Sequence, residues 1–324
     1  MRPQPRQASR SSEAGFIIIA VLWILMALAA LATIFSVYLS NSARALGATD
    51  ISIERDALVS ASLELTAYRL LSIEKDRPSQ GSFSFRLDNA DALVTFTSEA
   101  ARVDLNRAPK EMLAGLFEVL GAEQTAAGDL ADRVVGWRTK SKPNTANDES
   151  ALYLARGLNY TPRGAPFAHV NELSLVLGAT PAVVEQVLPF VTVFSKSADI
   201  DVLVAPPEVV AALPGMTPEA LNDFLKQRSS LPHDQKAIAA ALGPAKAAAT
   251  LPENKTYRVR TMLRFDNGRQ VASEAVIMLA GAGGKNSATN VQSAVKADGK
   301  DAYSILFWRD QTEAIGPPLK RAGR

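Results

Sequence analysis

Hydrophobic and polar positions follow two regimes along this chain. From Phe16 to Leu39 the run FIIIAVLWILMALAALATIFSVYL has no charged residue, whereas the rest mixes apolar and polar positions as a folded body does. As a helix rising 1.5 Å per residue, the run is about 36 Å long, enough to cross a hydrocarbon core of about 30 Å. Past Leu39 the apolar residues thin out but keep helical spacing at Leu46, Ile53, Ala57, Leu58, Leu65, Tyr68 and Leu71, with Glu54, Arg55, Glu64 and Arg69 between them. One helix is therefore expected from Phe16 to about Glu74, stopped by Pro78 and Gly81.

The period then changes from helical to alternating. Ser82 to Leu87 and Leu93 to Ser98 alternate around Asp88-Asn89-Ala90-Asp91, which reads as a β-hairpin. Thr256 to Phe265 and Arg269 to Leu279 flank Asp266-Asn267-Gly268, a strong short-range hairpin signal, and a last strand is expected at Ala302 to Arg309. Between the two sets lies an alanine-rich helical region, roughly 104 to 250. Strands that pair across such an interval imply a helical domain inserted into a sheet, because a structureless loop of that length is implausible. Residues 281–300 are poor in apolar side chains and read as a flexible loop.

The start of the apolar run carries further information. Residues 1–15 are polar, include Arg2, Arg6 and Arg10, and end in Glu13-Ala14-Gly15. By the positive-inside rule this leader stays cytoplasmic and everything after Leu39 lies on the far side. A cleavable secretory signal is one reading, with Ala43-Arg44-Ala45 as a small-x-small site, but its apolar region has 7–15 residues and this run is longer. A plain single-span anchor explains the hydrophobicity and the leader charge, and leaves the abrupt Gly15-Phe16 junction unexplained. That junction resembles the signal of type IV pilins and pseudopilins, in which a prepilin peptidase cuts after the glycine and methylates the new amino terminus. The resemblance implies cleavage between Gly15 and Phe16, methylation at Phe16, and an apolar helix kept in the mature protein. Most of that superfamily carries glutamate at the fifth mature position, where this chain has Ala20. A buried glutamate is costly without a partner, and the K-type minor pseudopilin is the member that dispenses with it.

Composition removes several classes of function. With 35 basic and 33 acidic residues the formal charge is +2, which is not the field of a dedicated nucleic-acid binder. The absence of cysteine removes disulfides, thiolate catalysis and zinc-thiolate sites. The two histidines, His169 and His233, are far apart, so a histidine-built metal centre is not expected, and no serine elbow or paired nucleophile accompanies either. His169 reads as a surface or capping residue. Gly283-Gly284-Lys285 invites a phosphate-loop reading that fails on spacing, with Leu279 in place of the first glycine and Asn286 in place of Ser or Thr.

The helical region contains an internal repeat. Val103-Asp104-Leu105-Asn106-Arg107-Ala108-Pro109 precedes an apolar-periodic helix at Met112 to Leu120, and Ile200-Asp201-Val202-Leu203-Val204-Ala205-Pro206 precedes another at Val209 to Leu213. Taken alone this is a strand-to-helix junction with proline near the first helical position, where a missing amide hydrogen is harmless. Between the copies stand Trp137, Glu149 with Tyr153, and Ala165-Pro166-Phe167-Ala168-His169-Val170-Asn171-Glu172-Leu173, followed by Gly178. In order and spacing these features resemble the general secretion pathway protein K family over nearly the whole chain. The resemblance implies a non-enzymatic minor pseudopilin of type II secretion, at the pseudopilus tip, single-pass in the bacterial inner membrane with its bulk periplasmic. Its implied partners are other minor pseudopilins, the major pseudopilin, the prepilin peptidase and the inner-membrane secretion platform, with no nucleic acid.

Two departures bear on the site. Where the family has Asp-Trp-x-Asp-x-Asp, this chain has Gly136-Trp137-Arg138-Thr139-Lys140, so acidic oxygens that could hold calcium are replaced by neutral and basic groups. Asp148, Glu149 and Glu172 remain as calcium candidates, with a solvated-surface role preferred and no cofactor expected. Leu203 stands where the family has Asn, which favours packing at the second junction. A rival reading starts from Leu213-Pro214-Gly215-Met216-Thr217-Pro218-Glu219, which resembles a helix-hairpin-helix element and suggests a membrane-anchored DNA receptor. Glu219 and Asp223, with only Lys226 and Arg228 nearby, weaken the phosphate attraction that reading needs.

The expected architecture is α+β: a pilin-like amino-terminal transmembrane helix packed on an antiparallel sheet, with a large inserted all-α, SAM-like domain. Its parts are the leader (1–15), the transmembrane helix (16–39), the periplasmic continuation of that helix (40–77), the first part of the sheet (78–103), the inserted helical domain (104–250), and the last strands with the C-terminal tail (251–324).

Overall fold

The structure is a computed structural model that describes residues 13–73, 77–140, 149–248, 250, 255–280, 296–297 and 300–311. Residues 1–12 of the leader, Asp148, the Gly283-Gly284-Lys285 segment and the tail beyond 311 lie outside the described residues. Helix α1 is unbroken from Glu13 to Leu71. It passes through Gly15-Phe16 without interruption. The chain divides into two compact units at Ala57/Leu58.

In the second unit, the last turns of α1 pack on a five-stranded sheet. The strands are β1 (Gln80–Leu87), β2 (Ala90–Ser98), β5 (Thr256–Phe265), β6 (Gln270–Leu279) and β9 (Tyr303–Gln311), in spatial order β1-β2-β5-β6-β9 with every pair antiparallel. Both expected hairpins form, the first on a turn confined to Asp88 and Asn89, because Ala90 and Asp91 already belong to β2. Asp88 takes a positive φ of 53° between β1 and β2, and Gly268 one of 83° between β5 and β6. Alternation sends Val94, Phe96, Tyr257, Val259, Ala275 and Ile277 to the helix side of the sheet.

The face of α1 that meets the sheet is only partly the one expected, with Leu58 and Leu71 on it. Ala57, Leu65 and Tyr68, read as part of the apolar stripe, are exposed, and Tyr68 is 73% so. The buried stripe is Leu58, Val59, Ser62, Leu63, Thr66, Ala67 and Leu70. Two of its members look polar in sequence but lose that character locally. The Ser62 hydroxyl donates to the Leu58 carbonyl at 2.8 Å, and the Thr66 hydroxyl to the Ser62 carbonyl at 2.7 Å. With their hydrogens satisfied inside the helix, these side chains pack as small apolar groups. We predict that Leu65→Ser and Tyr68→Ser each change stability by less than about 0.5 kcal/mol, read by urea unfolding of the detergent-solubilised chain.

The helix also stops earlier than Glu74. After Leu71 its last carbonyls are taken by Arg77, whose Nε donates to the Leu70 and Ile73 oxygens at 3.0 Å each. A side chain downstream thus supplies the cap.

Between β2 and β5 the chain forms β3 (Val103–Asp104), α2 (Lys110–Val119), α3 (Gln124–Arg138), α4 (Glu149–Ala155), α5 (Pro181–Val187), β4 (Val191–Thr192), α6 (Pro207–Ala211), α7 (Pro218–Gln227) and α8 (Gln235–Leu242). These elements share one apolar core, from Val103 through Leu113, Phe117, Tyr153 and Phe224 to Ala245. The region is not purely helical, because β3 and β4 form a short parallel ladder, Val103 opposite Val191. Within the span read as a loop, β7 (Lys296–Ala297) and β8 (Lys300–Asp301) form a short antiparallel pair.

Candidate functional site

Three groups of residues carry the functional reading, and the first is the apolar part of α1. Ile18 to Asn41 is long and apolar enough to cross a membrane, and none of it is buried within the protein. Ile18, Trp23, Ile34 and Phe35 all expose most of their surface, and Ala20 is partly exposed on the same segment. A bare apolar rod of this length is stable only in lipid or against other rods.

The second group is the repeated junction. In each copy an aspartate folds back on its own backbone: Asp104 Oδ1 accepts from the Asn106 amide at 2.8 Å, and Asp201 Oδ1 from the Leu203 amide at 3.2 Å. The carbonyls of Asp104 and Asp201 then accept from the amides three and four residues on. Pro109 and Pro206 both stand one position before the helix, and Pro207 opens α6. The proline that matters for helix entry thus lies at the cap in both copies.

The repeat extends further than its sequence signature. Arg138, at the end of α3, donates to the Leu105 carbonyl and, at 2.7 Å, to the Ala108 carbonyl; Arg228, just after α7, donates to the Ala205 carbonyl at 2.7 Å. Each copy is therefore a junction, a helix pair, and an arginine returning to the junction. Arg138, read as a cation opposing calcium, and Arg228, read as a potential phosphate contact, both serve this backbone role. Burial lowers the Arg138 pKa, partly offset by Asp104. The turns between paired helices match as well, with Gly121 at φ 97° and Gly215 at φ 83°, and a third such turn holds Gly178 at φ 90°. Leu120-Gly121-Ala122 and Leu177-Gly178-Ala179 were a legible sign of that third turn.

The third group gathers the motifs between the two junctions. Trp137 packs its ring on Phe167 at 6.0 Å and Tyr153 at 6.2 Å, and its Nε1 donates to Glu172 at 3.3 Å. Asn106 of the first junction holds Phe167 by both backbone groups, accepting from its amide at 2.6 Å and donating to its carbonyl at 3.0 Å. Tyr153 is fully buried, its hydroxyl accepts from the Leu177 amide at 2.9 Å, and burial pushes its pKa up to about 12. His169 caps the 3₁₀ helix Val170–Leu175 through Nδ1, as its capping reading predicts. The residues scattered over the sequence are thus one packed cluster. Asn106→Ala leaves two backbone groups of Phe167 without a partner and is expected to cost about 1–3 kcal/mol, measured as a shift in thermal unfolding.

The carboxylates of this cluster are committed to cations. Glu149 pairs with Arg133 at 2.7 Å, and Glu172 with Arg163 at 2.6 Å. Burial raises the Glu149 pKa against the pull of Arg133, and its Oε1 has no hydrogen-bond partner among the described residues. Gly136 admits this carboxylate, since a Cβ there would fall 2.7 Å from Glu149 Cδ. Calcium asks for six to eight oxygens, and no group of three acidic or histidine side chains suited to a metal occurs among the described residues. Glu149 and Glu172 are thus each held by an arginine, and the third calcium candidate, Asp148, lies outside the described residues.

At the hairpin turn of the DNA-receptor reading, Lys226 pairs with Asp223 at 3.5 Å and Arg228 is spent on Ala205. The exposed first turn of α7 carries Glu219, whose charge opposes a phosphate.

A long amino-terminal helix with an apolar first half, its last turns laid on an antiparallel sheet, and a helical region inserted between two paired strands define a pilin-like fold with an added helical body. Residues 88–196 match the family model described as type II secretion system (T2SS), protein K. The chain is 24% identical over 292 residues to the type II secretion system protein K of Klebsiella pneumoniae, covering 80% of this chain and 88% of that one. In structure it is similar to a chain of the GspK-GspI-GspJ complex from the enterotoxigenic Escherichia coli type 2 secretion system, with a TM-score of 0.55, 16% identity, and coverage of 82% of this chain and 99% of that one. The likeness to protein K of type II secretion systems is thus carried in sequence by residues 88–196 and in fold by most of the chain.

Proposed function

We propose that this chain is a minor pseudopilin of a type II secretion system, built into the pseudopilus at its tip and acting through surfaces rather than through catalysis. The observation that carries the reading is α1 itself: one helix from Glu13 to Leu71 whose Ile18–Asn41 stretch is unburied and apolar while its last turns are packed in the folded body. Prepilin peptidase cleaves between Gly15 and Phe16 and methylates Phe16, leaving the apolar rod in the mature protein. The rod spans the inner membrane, with the sheet and the helical region in the periplasm.

Ala20 supports the tip position. A glutamate there would need the amino terminus of a neighbouring subunit as its partner in the bilayer, and a subunit with nothing above it has none. The relative solved in the GspK-GspI-GspJ complex assembles with two other proteins. By analogy the partners are the other minor pseudopilins, then the major pseudopilin and the inner-membrane platform.

Mass spectrometry of the amino terminus of protein purified from its own cells tests this reading. N-methyl-Phe16 is the expected result. A chain beginning at Leu46 marks a secretory product, and one that keeps Met1 marks an ordinary anchor. Either of these overturns the proposal.

A further inference from the structure

The sheet face turned away from α1 carries a row of charge. Arg260, Glu274 and Arg309 are direct cross-strand partners on β5, β6 and β9. In the adjacent row Arg258 and Phe307 both pair with Val276. The helical region closes over these rows with Arg102, His169, Leu188, Pro189 and Phe194, leaving a pocket of about 260 Å³. None of the motifs behind the family reading falls on its charged floor.

Four guanidiniums meet two carboxylates here. Glu274 is 3% exposed and takes Arg258 at 2.5 Å, Arg260 at 2.7 Å and Arg309 at 3.8 Å. Glu99, 1% exposed, takes Arg258 at 2.7 Å, Arg102 at 3.4 Å and the Thr192 hydroxyl. The acids are saturated, while a guanidinium has five donors and most of those on Arg102, Arg260 and Arg309 have no partner among the described residues. Of these three, Arg102 is the most isolated from water, with 19% of its side chain exposed and its ion pair a long one. Burial, then the neighbouring Arg258, pushes its pKa down to about 10. His169 adds a donor, since its Nδ1 accepts from the Asn171 amide and its ring hydrogen must sit on Nε2.

The other side of the pocket is apolar. Phe307 lies 5.6 Å from the His169 ring and 6.2 Å from Phe194, and Leu188 and Pro189 continue that wall. Unspent planar donors on one side and an aromatic wall on the other suit a planar oxyanion with an apolar body.

We propose that this pocket binds an organic carboxylate, its oxygens held by Arg102 and Arg309 and its apolar body laid against Phe194 and Phe307. The carboxylate is either that of a free small acid or that of a peptide ending in an apolar residue. Inorganic phosphate supplies the charge but leaves the wall uncovered.

Isothermal titration calorimetry on the full-length chain in detergent tests this, with benzoate, benzamide, inorganic phosphate and the dipeptide acid N-acetyl-Gly-Phe as probes. Benzoate is expected to bind at one site and benzamide to give no signal. Arg309→Gln is expected to weaken benzoate by about tenfold or more, the loss of one charge-assisted contact. Arg309 is 57% exposed on its side chain, so the variant keeps its fold, which circular dichroism verifies. Binding of the dipeptide acid together with benzoate assigns the ligand to a peptide terminus, and benzoate alone to a free acid. Absence of saturable benzoate binding, equal affinity for benzamide, phosphate as tight as benzoate, or unchanged benzoate affinity in Arg309→Gln each overturns the proposal.

Discussion

Arg258→Met is expected to destabilise the protein by about 3–5 kcal/mol, because it leaves two buried carboxylates short of their shared cation. Arg258 donates to Glu99 through Nε and Nη2, and to Glu274 through Nη1. Methionine keeps the apolar stem and removes all three bonds. Arg102 still reaches Glu99 at 3.4 Å and Arg260 still reaches Glu274 at 2.7 Å, so the loss is severe without being total. The pH dependence follows from Glu274. Burial alone would raise its pKa, but Arg258 and Arg260 outweigh burial and hold it below the ordinary carboxylate range. A depressed pKa in the folded state gives stability that is present above the unfolded value of about 4.3 and is lost as pH falls through the folded value. The gap between wild type and variant should therefore be full at neutral pH and shrink in acid. Urea unfolding at pH 7 and at pH 3 checks both parts, and a gap that does not depend on pH removes Glu274 from the explanation.

Trp137→Ala is the second large effect, also about 3–5 kcal/mol, the range for emptying a buried aromatic site. The indole is buried and lies between Phe167 and Tyr153, and through Glu172 it reaches Arg163. Removing it opens a void where α3, α4 and the loop before His169 meet. Trp137→Phe keeps a ring in place and is expected to cost about 1 kcal/mol. Thermal unfolding separates the two, and equal losses in both variants would mean that the hydrogen bond to Glu172 outweighs the packing.

Much of this was legible in the sequence because local signals and global contacts agree. The hairpin around Asn267-Gly268 and the alternation of Thr256 to Phe265 required nothing beyond neighbouring residues, and both strands formed within a residue of the expected bounds. The buried face of α1 was partly misread, for a specific reason: Ser62 and Thr66 hide their hydroxyls in the helix backbone, an effect that a hydrophobic-polar pattern cannot register. Leu65 and Tyr68 look like core and instead help to line an apolar groove of about 750 Å³. Long-range partnerships were out of reach for a different reason. Nothing near Arg138 announces that its guanidinium returns to Ala108, and nothing near Asn106 announces Phe167. Such pairs are set by the packing of whole helices. The charged row of Arg258, Arg260, Glu274 and Arg309 was half legible, since alternation places Arg258 and Arg260 opposite the apolar side of β5, while the helical region that covers them is a tertiary fact.

The adjacency of β2 and β5 has a consequence for biogenesis. When β2 emerges, its partner is still more than a hundred residues from being synthesised, so for that interval the nascent hairpin carries an open hydrogen-bonding margin. The intervening segment is made of short helix pairs with nearby contacts, which form fast, whereas closing the sheet waits for a distant strand. Any truncation before residue 256 therefore leaves β2 without the strand that covers its margin.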